Sequence, residues 1–95
     1  MPKAYIITRV NVQDAEAYGR YAALAPVAMK KYGARVLARG GRCEALEGEA
    51  RSRNVVLEFD DYETARAYFH SPEYQEARGH RVGAADFEMT LVEGI

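Results

Sequence analysis

The segment Ala4 to Val12 (AYIITRVNV) constrains this chain more than any other. Its Ile, Val, Tyr and Thr content and loose alternation suit a strand. As a strand it places Ala4, Ile6, Thr8, Val10 and Val12 on one face and Tyr5, Ile7, Arg9 and Asn11 on the other. Large apolar groups fall on both, so neither face is plainly a solvated one. A sheet containing this strand therefore needs cover on each side.

The next segments supply cover for one side. Asp14 is a plausible helix N-cap, and Tyr18, Tyr21, Ala22, Ala25, Met29 and Tyr32 recur at spacings of three and four up to Gly33. Pro26 falls inside that stripe and predicts a bend, or a division of the helix, near Ala22 to Pro26. Ala34 to Arg39 reads as a second strand, with a bulge or bend at Gly40-Gly41. After an irregular polar segment around Gly48 comes Asn54 to Phe59 (NVVLEF), the clearest strand. Asp60 or Asp61 can cap a second helix whose stripe is Tyr62, Ala65, Tyr68 and Phe69. Ser71-Pro72-Glu73 restarts it, with a stop predicted at Gly79. Phe87 to Glu93 alternates as a terminal strand.

The order is β-α-β-β-α-β, an α+β ferredoxin-like pattern: a four-stranded antiparallel sheet with helices on one face. At 95 residues the chain is one domain, 1–95. The face away from the helices would carry either Tyr5, Ile7 and Leu37 or Ile6, Val10 and Val36. An apolar second face of that size is a contact surface, so a sheet-to-sheet homodimer is expected.

Charge and composition remove several functions. Lys+Arg number 13 against 14 Asp+Glu, a formal net charge of -1, which gives no overall attraction for nucleic acid or anionic lipid. An RNA-recognition motif of the same element order would need a basic-glycine-aromatic run on its third strand, and NVVLEF has none. No stretch reaches the roughly 18 apolar residues of a membrane span. With one cysteine, Cys43, and no signal-peptide pattern at the start, the expected location is the cytoplasm. His70 and His80 match no local metal spacing, so neither a metal nor a cofactor is expected.

A set of separated motifs carries a resemblance: Arg39-Gly40-Gly41, Leu46-Glu47-Gly48, Arg53, Val55-Val56-Leu57-Glu58-Phe59, Ala65, Ser71-Pro72-Glu73-Tyr74-Gln75, Arg81 and Leu91-Val92-Glu93-Gly94. In order and spacing they resemble the bacterial family known as domain of unknown function 1330, of the dimeric α+β barrel superfamily. The departures are Tyr68, where members often carry tryptophan, and Asp60-Asp61, where they often carry Pro-Ser. The resemblance implies a homodimer whose sheets face each other, with a pocket in each protomer, and no assigned reaction.

Glu58 lies mid-strand between apolar neighbours and suits either a general base or a carboxylate paired with Arg39, Arg9 or Arg53. Arg39, before two glycines, could present its guanidinium to a cleft and stabilise developing negative charge. Glu58 and Arg39 are thus the candidate catalytic pair. Arg53 and Arg81 are candidates for anion recognition. Tyr18, Tyr21, Tyr68 and Tyr74 could wall a ligand pocket, although aromatics at helical spacing also build cores. His70, at a helix end, could serve a pocket rim.

Two functions from different classes fit. One is a small-molecule binder with cofactor-free acid/base or oxygenase-type chemistry. The other is a non-enzymatic dimeric ligand-sensing or interaction module, which would lack a pocket of about 300 Å³ or more.

Overall fold

A computed structural model describes residues 2–95. Its elements are β1 (Ala4–Val12), α1 (Ala15–Lys31), β2 (Arg35–Arg39), β3 (Arg53–Phe59), α2 (Tyr62–His70), α3 (Pro72–Arg81) and β4 (Ala85–Glu93). The strands form one sheet in the order β2-β3-β1-β4, and every neighbouring pair is antiparallel. This is the expected β-α-β-β-α-β arrangement, with the second helical segment divided at Ser71.

The helices cover the face that carries Ala4, Ile6, Thr8 and Val10 of β1 and Val55, Leu57 and Phe59 of β3, all buried. From above, α1 contributes Tyr21, Ala25 and Ala28, α2 contributes Ala65 and Tyr68, and α3 contributes Tyr74 and Ala77. Small residues on the helices let the three large tyrosines reach the sheet without overpacking. Tyr68 stacks at a tilt on both Phe59 and Tyr74, with ring centroids 5.1 and 4.9 Å away.

The helix ends follow local chemistry. Asp14 accepts from the Ala17 N–H and Asp61 from the Thr64 N–H, satisfying donors that have no partner within their helices. Ser71 sits between α2 and α3 and serves both. Its hydroxyl donates to the Tyr68 carbonyl at 2.7 Å and accepts from the Tyr74 N–H at 3.1 Å, and Pro72 then starts α3.

Three local expectations need correction. Pro26 does not divide α1, which runs unbroken to Lys31. The proline removes one backbone bond, on an exposed side of the helix, while Tyr21, Ala25 and Ala28 anchor the turns around it. Gly79 does not end α3, because Arg81, two residues on, is buried and holds the last turn in place; the positive φ falls at Gly83 instead. The register shift in β2 lies between Val36 and Ala38, at Leu37, rather than at the glycine pair. Gly40 has φ +66° and donates its N–H to Asn54, closing the strand pair at that end.

Because Ser71 is 3% exposed and links two helices, Ser71→Ala should cost about 1–2 kcal/mol of stability. A urea midpoint equal to that of the parent would contradict this reading of the joint.

Candidate functional site

Between α1 and the sheet lies a cavity of about 50 Å³, partly open to solvent. Its lining is mostly apolar, with Ala25, Pro26 and Met29 from α1 facing Val55, Leu57, Phe87 and Met89 from the sheet. Its polar groups are Thr8, Tyr18, Tyr21, Tyr68, Arg39 and Arg53. Helical spacing brings Tyr18, Tyr21 and Ala25 onto the side of α1 that faces the sheet. Arg39 and Arg53 come from the adjacent strands β2 and β3.

The Arg53 Nε donates to the Tyr18 hydroxyl at 3.0 Å, and the guanidinium lies 5.7 Å from that ring's centroid. Gly40 permits this placement, since a Cβ there would collide with the Arg53 guanidinium. The motif glycine thus leaves space for a neighbouring arginine as well as ending a strand. Neither Arg39 nor Arg53 pairs with a carboxylate among the described residues. Two cations therefore border a small, largely apolar space with no resident anion.

At the inner end, the Tyr21 and Tyr74 hydroxyls are 3.0 Å apart, and the Arg81 Nη2 donates to the Tyr74 oxygen at 3.2 Å. Burial, with the neighbouring Tyr74 hydroxyl adding to it, pushes the Tyr21 phenol far above its ordinary pKa. Burial and then the Tyr74 hydroxyl raise Tyr68 likewise. Both phenols stay protonated at any working pH.

Glu58 is placed elsewhere. It pairs in register with Tyr5 and Arg35, on the sheet face away from the helices. Its partner is Arg35, whose Nε donates to it at 2.7 Å, rather than Arg39, Arg9 or Arg53; the Tyr5 hydroxyl donates at 3.2 Å. Arg39 pairs with Val55, whose side chain faces the helices. Within a protomer, the expected pair Glu58 and Arg39 thus stands on opposite faces of the sheet. The Arg35 hydrogen bond holds the Glu58 carboxyl below its ordinary pKa, against an opposing effect of desolvation. That makes it a weaker proton acceptor than a free carboxylate.

Of the remaining candidates, Tyr18, Tyr21 and Arg53 meet at the cavity. Tyr74 is fully buried behind Tyr21, and Arg81 lies beyond it, stacked on Phe87 at 3.6 Å from the ring centroid. Arg81 is thus separate from the Arg53 anion cluster in which it was expected. His70 is exposed and borders a different, shallow groove of about 280 Å³ with Tyr62, Arg66, Phe69 and Leu91. Tyr68, a candidate pocket wall in the sequence, lines the cavity as well as the core. Thr8 lines it too and had no signal in the sequence, because both faces of β1 carry large apolar groups. No group of three or more His, Cys, Asp or Glu that could hold a metal occurs among the described residues.

The pH dependence of stability follows from the outer-face pair. An unfolded glutamate titrates near pH ~4.3, and the folded pKa of Glu58 is lower, so its stabilising contribution is complete above that pH and disappears as pH falls through the folded value. Glu58→Gln should start from a lower stability at neutral pH and lose less of it on acidification, as read by urea midpoints from pH 7 downward. Equal acid slopes in the two proteins would exclude this linkage.

A family model described as domain of unknown function (DUF1330) matches residues 3–95. No curated protein matches the chain. Among solved structures, a protein of unknown function from Rhodopseudomonas palustris superposes with a TM-score of 0.79 at 20% identity, covering 99% of this chain and 83% of that one. A protein of unknown function from Bacteroides fragilis, described as dimeric with a ferredoxin-like fold, gives 0.65 at 13% identity, with 96% and 95% covered. SnoaB from Streptomyces nogalater, described as a cofactor-independent oxygenase, gives 0.67 at 14% identity, with 97% and 92% covered. At these identities the likeness establishes the ferredoxin-like fold alone.

Proposed function

The chain belongs to the DUF1330 family, described as a domain of unknown function, and from that premise we propose that each protomer of a homodimer binds a small anionic organic molecule between α1 and the sheet. The observation that carries this reading is the pair Arg39 and Arg53 beside a tyrosine-lined cavity, both without a carboxylate partner among the described residues. Uncompensated guanidiniums next to apolar walls favour a ligand with a carboxylate or enolate head and a short hydrocarbon body.

The enclosed volume decides the ligand's size. At about 50 Å³ it accepts a head group of a few heavy atoms, and anything larger must extend into solvent. Chemistry of the cofactor-free acid/base or oxygenase type would use Arg39 and Arg53 to stabilise negative charge on the bound molecule. The description of SnoaB as a cofactor-independent oxygenase shows that the fold can host such a reaction. The cavity's small volume, well under the roughly 300 Å³ of a typical ligand pocket, favours the second reading, a ligand-sensing module without turnover.

Dimerisation would use the outer sheet face. Ile7 and Val92 are exposed there, with half-buried Tyr5 and Val56 beside them. The Arg35–Glu58 and Arg51–Glu88 ion pairs lie on either side. The described dimer of the Bacteroides fragilis protein supports the arrangement.

Two measurements test these statements. Light scattering at micromolar concentration should give twice the chain mass for the parent and the single mass for Ile7→Glu; a monomeric parent would refute the dimer. Thermal melting with small carboxylates should raise Tm for the parent, whereas the matching amides should not. Replacing both Arg39 and Arg53 by alanine should remove the shift, and an undiminished shift would exclude the arginine site.

A further inference from the structure

Four side chains that line the cavity carry hydroxyls: Thr8, Tyr18, Tyr21 and Tyr68. Two of these are engaged, Tyr18 by the Arg53 Nε and Tyr21 by the Tyr74 oxygen. Thr8 and Tyr68 differ. They are 4% and 1% exposed, and neither hydroxyl has a hydrogen-bond partner among the described residues. A buried hydroxyl left unpaired costs free energy, and protein interiors seldom leave one so.

Both oxygens keep contact with open space. Among the described residues, the side-chain polar atoms sealed from water without a partner are Glu73 Oε1 and Arg81 Nε. The Thr8 and Tyr68 hydroxyls are not among them, so the exposure they retain is toward the cavity that both residues line. The sheet register relates them to the arginines. Val55 pairs with Arg39 on one side and with Thr8 on the other. Arg39 and Thr8 therefore stand on one cross-strand row, two strand spacings or about 10 Å apart at the backbone. Charged donors come from β2 and β3, and uncharged ones from β1 and α2.

We infer that the Thr8 and Tyr68 hydroxyls hold an uncharged carbonyl oxygen of the ligand, so that the molecule bound is a short oxo-carboxylate with its carboxylate toward Arg39 and Arg53. The inference rests on the anionic-ligand reading of this cavity and adds the feature that selects one carboxylate over another. A hydroxyl turns its proton to suit a partner, and a carbonyl oxygen has two lone pairs, so one oxygen accepts from both. A methylene in the same place leaves both donors unpaired, which is the stronger source of selectivity. Val55, Leu57 and Met89 give the carbon chain an apolar wall. Burial keeps the Tyr68 phenol protonated, as a donor must be.

Pyruvate and propionate are suitable probes, since they differ by a carbonyl in place of a methylene. By isothermal titration calorimetry, the parent should bind pyruvate roughly tenfold more tightly than propionate, the value of one or two hydrogen bonds otherwise left unmade. Thr8→Val and Tyr68→Phe each keep the shape of the side chain and remove its hydroxyl. Each should bring the ratio of the two affinities toward one, with propionate bound no more weakly than by the parent. Thr8→Ser, which keeps a hydroxyl, should keep the preference. Should Tyr68→Phe lose its native circular dichroism, the comparison of Thr8→Val with Thr8→Ser decides. Equal affinities in the parent, or a preference unchanged in Thr8→Val and Tyr68→Phe, would overturn this inference, and binding that still depends on Arg39 and Arg53 would leave the anion site standing. A parent that binds neither acid would overturn both.

Discussion

Two phenol hydroxyls inside the core set the conditions for everything around them. Tyr21 and Tyr74 fill the layer where α1 and α3 meet over Phe87 and Met89 of β4. A buried hydroxyl without a partner costs on the order of 1–3 kcal/mol, so the two oxygens face each other and Arg81 is drawn in to donate. That brings a charge into the interior, where it meets aromatic faces, the Tyr74 oxygen and the Met89 sulfur. Arg81 in turn holds the last turn of α3 through Gly79. Packing, helix length and cavity chemistry are consequences of one polar contact in an apolar layer.

The sheet separates two kinds of chemistry. On the helix side, Arg53 and Arg81 meet tyrosine hydroxyls, and neither they nor Arg39 form an ion pair among the described residues, so they keep their capacity for an anion. On the outer side, Arg35 and Arg51 are spent on Glu58 and Glu88, which keeps these charges local. A surface laid out this way is compatible with burial against a like surface, since each ion pair is largely satisfied within its own protomer.

How far the residues alone disclose this varies with the range of the interaction responsible. The caps at Asp14, Asp61 and Ser71 depend on atoms three residues away and are plain in the sequence. The strands of NVVLEF and AYIITRVNV are equally clear, since alternation is a local property. The sides of the sheet are not: the faces of β1 look similar in apolar content, and only the packed helices show that Ile6 and Val10 face inward while Tyr5 and Ile7 do not. Glu58 was expected near Arg39 because both lie in matching motifs, yet cross-strand register, a long-range quantity, gives it to Arg35. Arg81 was a candidate for an anion-recognition cluster with Arg53, and arginine's usual place at the surface gave no reason to put it in the core. The spacing Tyr74, Ala77, Arg81 already described a buried helical stripe ending in a charge.

The single extra residue at Leu37 has an effect out of proportion to its chemistry. Arg35 and Arg39 are four positions apart and, in a regular strand, would project from the same side. The irregularity at Leu37 shifts the alternation by one, so the first arginine stays with Glu58 and the second turns toward the cavity. Pairing all five residues regularly, with Leu37 taken into the ladder, would move the second cation from the ligand side of the sheet to its opposite surface, with every side chain still present. A substitution that removes the irregularity from this five-residue edge strand without changing its length would therefore alter ligand preference as effectively as replacing the arginine itself.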